Sequence, residues 1–115
     1  MAELKHDLSQ QGDVFVITLS GRLDAVRAGA IRAELSDAIK PDVSKVVIDL
    51  SELSWIDSSG VGVLVTVYKR VRTQGGDVKV AGLSGQPEEI FRLLRLESAF
   101  QVFESLDAAI AALQS

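Results

Sequence analysis

The sequence predicts an α/β domain in which about four helices pack on a mixed sheet of four to five strands. Three runs rich in valine and isoleucine, residues 14–20, 46–50 and 78–81, are typical of buried strands. Segments with helical periodicity separate these runs, and this alternation favours parallel strands joined by right-handed crossovers. A further strand before residue 14 predicts an antiparallel hairpin at one edge of the sheet.

The first third of the chain predicts that hairpin and the first helix. Residues 4–9 alternate weakly between apolar and polar, and turn-forming residues at 11–13 connect them to the second strand. Residues 21–24 form the next loop, in which Asp24 is the predicted N-cap of a helix that runs to about Ile39. The predicted buried face of this helix consists of Ala28, Ile31, Leu35 and Ala38.

The middle of the chain predicts a strand at 45–50, a polar loop, and a helix that begins at Ser58 or Ser59 and ends at Thr73. The apolar arc of this helix is wider than one packing face requires. Val63, at the rim of the arc, is either a margin of the core or an exposed contact for a partner. The arc consists of Val61, Leu64, Val65, Tyr68 and Val71, extended by Val63 and Val67.

The last third predicts one more strand at 78–81, a helix that begins near Pro87, a short strand at 102–103 and a final helix capped by Ser105. Apolar residues recur in both helices at the spacing of one buried face. The predicted buried residues are Ile90, Leu93 and Leu94 in the first of these helices, and Leu106, Ala109, Ile110 and Leu113 in the second.

Composition limits the classes of function. The 115 residues are predicted to form one domain over 1–115, and 47% hydrophobic residues suffice for a single core. A net charge of −4 argues against a nucleic-acid partner, and the chain has no cysteine for a thiolate metal site. We see no signal peptide and no apolar run long enough to span a bilayer, so we expect a cytoplasmic protein with no direct membrane insertion.

The loop before the long helix carries the most distinctive residues. Asp57 and Ser58 can cap the helix N-terminus, while Gly60 and Gly62 permit close approach of another backbone or a partner. A serine nucleophile would need a base, and the single histidine, His6, lies on a distant edge strand. Nucleotide-binding glycine motifs are incomplete, so we predict neither enzymatic activity nor a cofactor.

Two interpretations of this loop follow from its local chemistry. Asp49, Glu52 and Asp57 could be imagined as a magnesium cluster, but strand-end and capping roles explain them better, and we predict no metal site. The plain interpretation of the loop is a capped helix N-terminus with glycines for tight packing. The alternative is a serine displayed beside an acid for recognition by a partner.

The run Asp57, Ser58, Ser59, Gly60, Val61, Gly62 resembles the signature of the STAS domain, in the form carried by bacterial anti-sigma-factor antagonists. The resemblance extends over almost the whole chain. It includes residues 21–25, which match the family's second loop, the strand at 46–50, and residues 80–83, which match the later strand and turn.

This resemblance implies a partner-switching mechanism. The unmodified protein would bind an anti-sigma factor that is also a serine protein kinase, and would thereby release the sigma factor. The kinase would phosphorylate Ser58, and a PP2C-type phosphatase would reverse the modification. Asp57, Ser59, Gly60 and Gly62 would form the acceptor loop, and the predicted partner contacts are Asp24, Arg22 and Val63 in a monomer or weak dimer.

Two other functions fit the sequence. The chain could be a constitutive scaffold or accessory subunit of a partner ATPase, similar to the small STAS component of bacterial lipid-transport complexes. A weaker possibility is a small-ligand sensor that holds an anion at the helix N-terminus. The sequence shows no basic clamp near the loop, which counts against the sensor.

Overall fold

A computed structural model describes residues 3–114 of the chain. These residues form five strands, four α-helices and one 3₁₀ turn at Leu96–Ser98. The elements follow one another as β1 (Lys5–Gln11), β2 (Val14–Leu23), α1 (Ala25–Ala38), β3 (Lys45–Ile56), α2 (Ser58–Thr73), β4 (Asp77–Ala81), α3 (Gly85–Leu93), β5 (Gln101–Phe103) and α4 (Leu106–Gln114).

The strands form one mixed sheet in the spatial order β1-β2-β3-β4-β5. β1 and β2 are antiparallel, and every later pair of neighbouring strands is parallel. The predicted edge hairpin and parallel centre are therefore confirmed. Since β2, β3 and β4 are parallel, their carboxyl ends and the loops after them lie along the same edge of the sheet. Binding sites of open α/β sheets are commonly found at this edge.

Alternation of side chains along the strands divides the core between the two faces of the sheet. Ile17, Val46 and Ile48 point to the face covered by α1, α2 and α3, whereas Val16 and Val47 belong to the smaller cluster under α4. All five side chains are at most 1% exposed. Both faces of the sheet are thus covered by helices.

β2 and β3 extend further than the sequence predicts. Arg22 and Leu23 pair with Trp55 and Ile56, so residues expected in two loops belong to strands. Register shifts within this pair place extra residues on β3, and the Ser54 hydroxyl donates to the Gly21 carbonyl at 2.9 Å. These strand ends contain polar residues and glycine, so the sequence does not predict them. Pairing with a distant segment of the chain stabilises them more than local propensity does.

Several predicted buried faces need correction. Val63 is fully buried, whereas Val61, Val65 and Tyr68 are only partly buried. The position of the sheet under α2 decides this orientation, which a broad apolar arc leaves open. Val63 is therefore a core residue and not a partner contact.

The predicted buried face of α3 is wrong at two of its three residues, since only Ile90 of them packs against the core. Leu93 and Leu94 are 76% and 50% exposed, because Pro87 and Phe91 occupy the side of α3 that faces the core. The helix ends at Leu93, and Arg95 turns the chain with a positive φ of 56°. Within residues 3–114, no helix is both long and apolar enough to cross a membrane.

Candidate functional site

The candidate site lies where β2 and β3 end side by side. Leu23 pairs with Ile56, and each strand is followed directly by an aspartate that is the N-cap of the next helix. Asp24 caps α1 by accepting from the Val26 N–H at 3.2 Å. Two helix N-termini, each the positive end of its helix dipole, therefore lie together at one edge of the sheet.

The Asp57 carboxylate connects these two helices. Oδ1 accepts from the Gly60 N–H of α2 at 3.0 Å, and Oδ2 accepts from the Ala25 N–H of α1 at 3.1 Å. The Asp57 N–H in turn donates to the Leu23 carbonyl at 3.3 Å. Sequence reasoning identifies Asp57 as a cap of α2 but not its bond to α1, since 32 residues separate Asp57 from Ala25.

Replacing Asp57 by alanine should lower the free energy of unfolding by about 1.5 kcal/mol, because both helices lose a capping acceptor. Asp57→Asn keeps one acceptor oxygen and should lose about half as much. Urea unfolding followed by circular dichroism measures both values. Asp42→Ala, at an exposed loop position, is the control, and equal stability of the alanine and asparagine variants would contradict the double cap.

Glycine at position 60 brings α2 close to the end of β2. A Cβ at Gly60 would lie 2.5 Å from the Leu23 carbonyl oxygen and 2.7 Å from Ile56 Cγ1. These distances are shorter than any normal carbon contact, so the start of α2 can pack here only without a side chain. Ser58, the first residue of α2, is exposed, and Ser59 is partly exposed.

Gln86 holds the end of β3 from the other side. Its amide oxygen accepts from the Ile56 N–H, and its amide nitrogen donates to the Ile56 carbonyl, both at 2.8 Å. β4 pairs with β3 only as far as Asp49, so the Gln86 side chain replaces a neighbouring strand beside Ile56. Nothing in the sequence around Gln86 indicates this role, because the partner lies 30 residues away.

Arginine side chains surround Asp24. Arg27 Nη1 lies 3.6 Å from Asp24 Oδ1, and Arg22 Nε lies 3.9 Å from Asp24 Oδ2. The Arg22 guanidinium also stacks over the indole of Trp55, 4.9 Å from the ring centroid. β2 and α1 thus bring two arginines to this edge, where both lie near the Asp24 carboxylate.

The structure brings most of the predicted site residues together. Asp24, Asp57 and Ser58 lie at the ends of neighbouring strands, and Arg22 lies beside Asp24. Among residues 3–114, no group of three or more histidine, cysteine or acidic side chains is placed to hold a metal ion. The residues at this edge are Arg22, Asp24, Asp57, Ser58, Ser59, Gly60 and Gly62, whereas Val63 is buried beneath them.

The fold and this edge define a small α/β domain with an exposed serine at the start of α2, directly after the capping Asp57 and at the same edge as Asp24. The chain belongs to the STAS domain family, whose family model matches residues 5–109. The family resemblance carried by the signature residues is therefore confirmed.

Relatives of known name agree with this membership. The chain is 28% identical to the anti-sigma F factor antagonist of Paenibacillus polymyxa over 96% of this chain and 92% of the relative. It also resembles the crystal structure of an anti-sigma factor antagonist from Mycobacterium paratuberculosis, with a TM-score of 0.89 and 23% identity over 98% and 96% of the two chains.

A third relative has been solved in two states. The Bacillus cell fate determinant SpoIIAA is similar to this chain in its phosphorylated form, with a TM-score of 0.72 and 24% identity over 94% of this chain and 99% of that one. Its unphosphorylated form gives a TM-score of 0.76, with 24% identity over 96% and 99% of the chains. At these identities the two likenesses establish a shared fold.

Proposed function

We propose that this protein is an anti-sigma-factor antagonist that is controlled by phosphorylation of Ser58. In the unphosphorylated form it binds an anti-sigma factor that is also a serine protein kinase, and the sigma factor is released. Phosphorylation by that kinase ends the interaction, and a PP2C-type phosphatase restores it. The protein acts as a binding partner and a substrate, and has no catalytic step of its own.

The exposure of Ser58 as the first residue of α2 carries this proposal. A kinase needs a hydroxyl that its active site can reach, and the edge formed by the ends of β2 and β3 offers one. The names of the relatives support an anti-sigma factor as the partner. That SpoIIAA exists in phosphorylated and unphosphorylated forms supports a reversible modification in this fold.

The charges at this edge explain how a phosphate could act as a switch. Phosphorylation adds a charge of about −1.5 to −2 beside two carboxylates, Asp24 and Asp57, that are already present. Ser58 is exposed at the start of α2, so the fold need not rearrange to accept the phosphate. A partner surface complementary to a neutral serine would instead meet a hydrated dianion.

Mass spectrometry of the protein isolated from its own cells tests this proposal. We expect a phosphate on Ser58 whose occupancy differs between growth and stress, and an anti-sigma factor that co-purifies with the unphosphorylated protein. A protein that stays unmodified under all conditions and co-purifies with a transport ATPase would contradict the proposal and favour the scaffold function.

Asp24 offers a separate test of the partner surface. Asp24→Asn keeps an oxygen for capping α1 but removes the charge, so we expect about tenfold weaker binding of the anti-sigma factor and an unchanged melting temperature. Asp24→Ala should in addition lose about 1 kcal/mol of stability. Asp37→Asn, at an exposed position near the far end of α1, is the matched control. If Asp24→Asn binds as well as the control, Asp24 is only a helix cap.

A further inference from the structure

Arg32 of α1 lies beside Gly62, one turn after the start of α2. A Cβ built on Gly62 would come within 3.1 Å of Arg32 Nη2, so the guanidinium occupies the space that a side chain at position 62 would fill. Residues four apart on a helix lie on one face, with Cβ atoms about 5–6 Å apart. Gly62 is four residues after Ser58, so the guanidinium lies beside the residue one turn after Ser58.

The direction of this contact also favours Ser58. The Cα–Cβ bond of every helical residue is tilted toward the helix N-terminus, so the Cβ position of Gly62, which lies 3.1 Å from Arg32 Nη2, is on the Ser58 side of that residue. Ser58 is exposed and at the N-terminal end of α2. A phosphate on its hydroxyl would enter the space between the helix start and the guanidinium.

Arg32 differs from the other arginines at this edge in its pairing. Arg22 and Arg27 both lie near the Asp24 carboxylate, and Arg22 also stacks on Trp55. Arg32 forms no ion pair with any residue in the described range 3–114. Its guanidinium therefore has its donors available for an anion, and guanidinium groups bind phosphate in a two-pronged geometry.

We propose that Arg32 is the intramolecular phosphate-binding residue for phosphorylated Ser58, and that Gly62 leaves the space in which its guanidinium meets the phosphate. This assignment rests on the proposed function, because it concerns the modified form of the same serine. Arg32 offsets part of the repulsion from Asp57 and holds the phosphate on the surface of the domain. It is a positioning residue for the modification and has no role in transferring it.

The assignment can be tested without the kinase, by incorporating phosphoserine at position 58 during translation and titrating the phosphate by phosphorus NMR. The second pKa of a phosphoserine is ordinarily about 6. A nearby guanidinium favours the dianion, so Arg32→Gln should raise this pKa by about 0.5 unit. Arg32→Lys keeps the positive charge and should restore most of the lost shift.

Arg72→Gln is the matched control for loss of one positive charge. Arg72 lies on the same helix as Ser58 but 14 residues later, about 21 Å away, so its removal should barely change the phosphate pKa. Raising the salt concentration to about 1 M should reduce the difference between the parent and Arg32→Gln. Equal pKa values in the Arg32→Gln and Arg72→Gln proteins would overturn the assignment.

The same titration shows whether Arg32 lies closer to a phosphate on Ser58 or to one on Ser59. Phosphoserine placed at position 59 should respond less to Arg32→Gln than phosphoserine at 58, and the opposite order would overturn the assignment to Ser58. Because the phosphate is installed during translation, this outcome does not depend on whether cells phosphorylate the protein. The mass-spectrometric experiment on native protein addresses that question separately.

Discussion

A chain that carries phosphoserine at position 58 is expected to bind its anti-sigma factor about a hundredfold more weakly than the unmodified chain, a loss of about 3 kcal/mol. Ser58 is exposed at the edge where β2 and β3 end, and Asp24 and Asp57 already place negative charge there. Burying a dianion against partner groups complementary to a hydroxyl removes its hydration without a matching counter-charge from the partner. Titration calorimetry with the purified anti-sigma factor measures the loss.

Two controls isolate the effect of charge at this position. Ser58→Ala removes the acceptor hydroxyl without adding charge and should bind nearly as well as the parent. Phosphoserine at Ser44, an exposed residue just before β3, adds the same charge at the opposite end of that strand and should leave the affinity nearly unchanged. If the chain with phosphoserine at position 58 binds the anti-sigma factor as tightly as the chain with phosphoserine at position 44, charge at Ser58 does not control binding.

Replacement of Gly60 by alanine is expected to lower the free energy of unfolding by about 3 kcal/mol. The added methyl group would lie 2.5 Å from the Leu23 carbonyl oxygen, a backbone atom within the sheet that cannot move aside alone. α2 would have to shift away from β2, and the Asp57 hydrogen bond to the Gly60 N–H would be distorted. Chemical unfolding followed by circular dichroism measures the change.

Gly29 is the matched control for this substitution. It also lies within a helix, but a Cβ there would meet no atom within 4 Å among the described residues outside its own helix turn and chain neighbours. Gly29→Ala should therefore raise stability by about 0.5–1 kcal/mol, since alanine is the better helix former. A similar loss in both variants would show that close packing at Gly60 is not the cause.

Local signals account for the elements that sequence analysis predicted correctly. Asp24 and Asp57 cap helices through bonds to N–H groups two or three residues later, and Ser105 caps α4 in the same way. Such contacts depend on residue type and short spacing alone. The order of strands and helices was predictable because apolar periodicity repeats within each segment.

Predictions of the buried face failed in helices whose apolar pattern is compatible with more than one orientation on the sheet. α2 has apolar residues around more of its surface than one face requires, so its periodicity could not show that Val63 is buried and Val65 partly exposed. Leu93 and Leu94 fit a helical pattern equally well, yet Phe91 fills the core position of α3. In both helices the choice depends on the shape of the sheet beneath.

The sequence by itself determined the aspartates that cap the two helices at the candidate site and the family signature at 57–62. Only the tertiary structure decided that Asp57 also caps α1, that Gln86 pairs with Ile56 and that Arg32 lies over Gly62. The first group depends on neighbours along the chain. The second joins residues about 30 positions apart, whose distances are set by strand pairing and by the packing of α1 against α2.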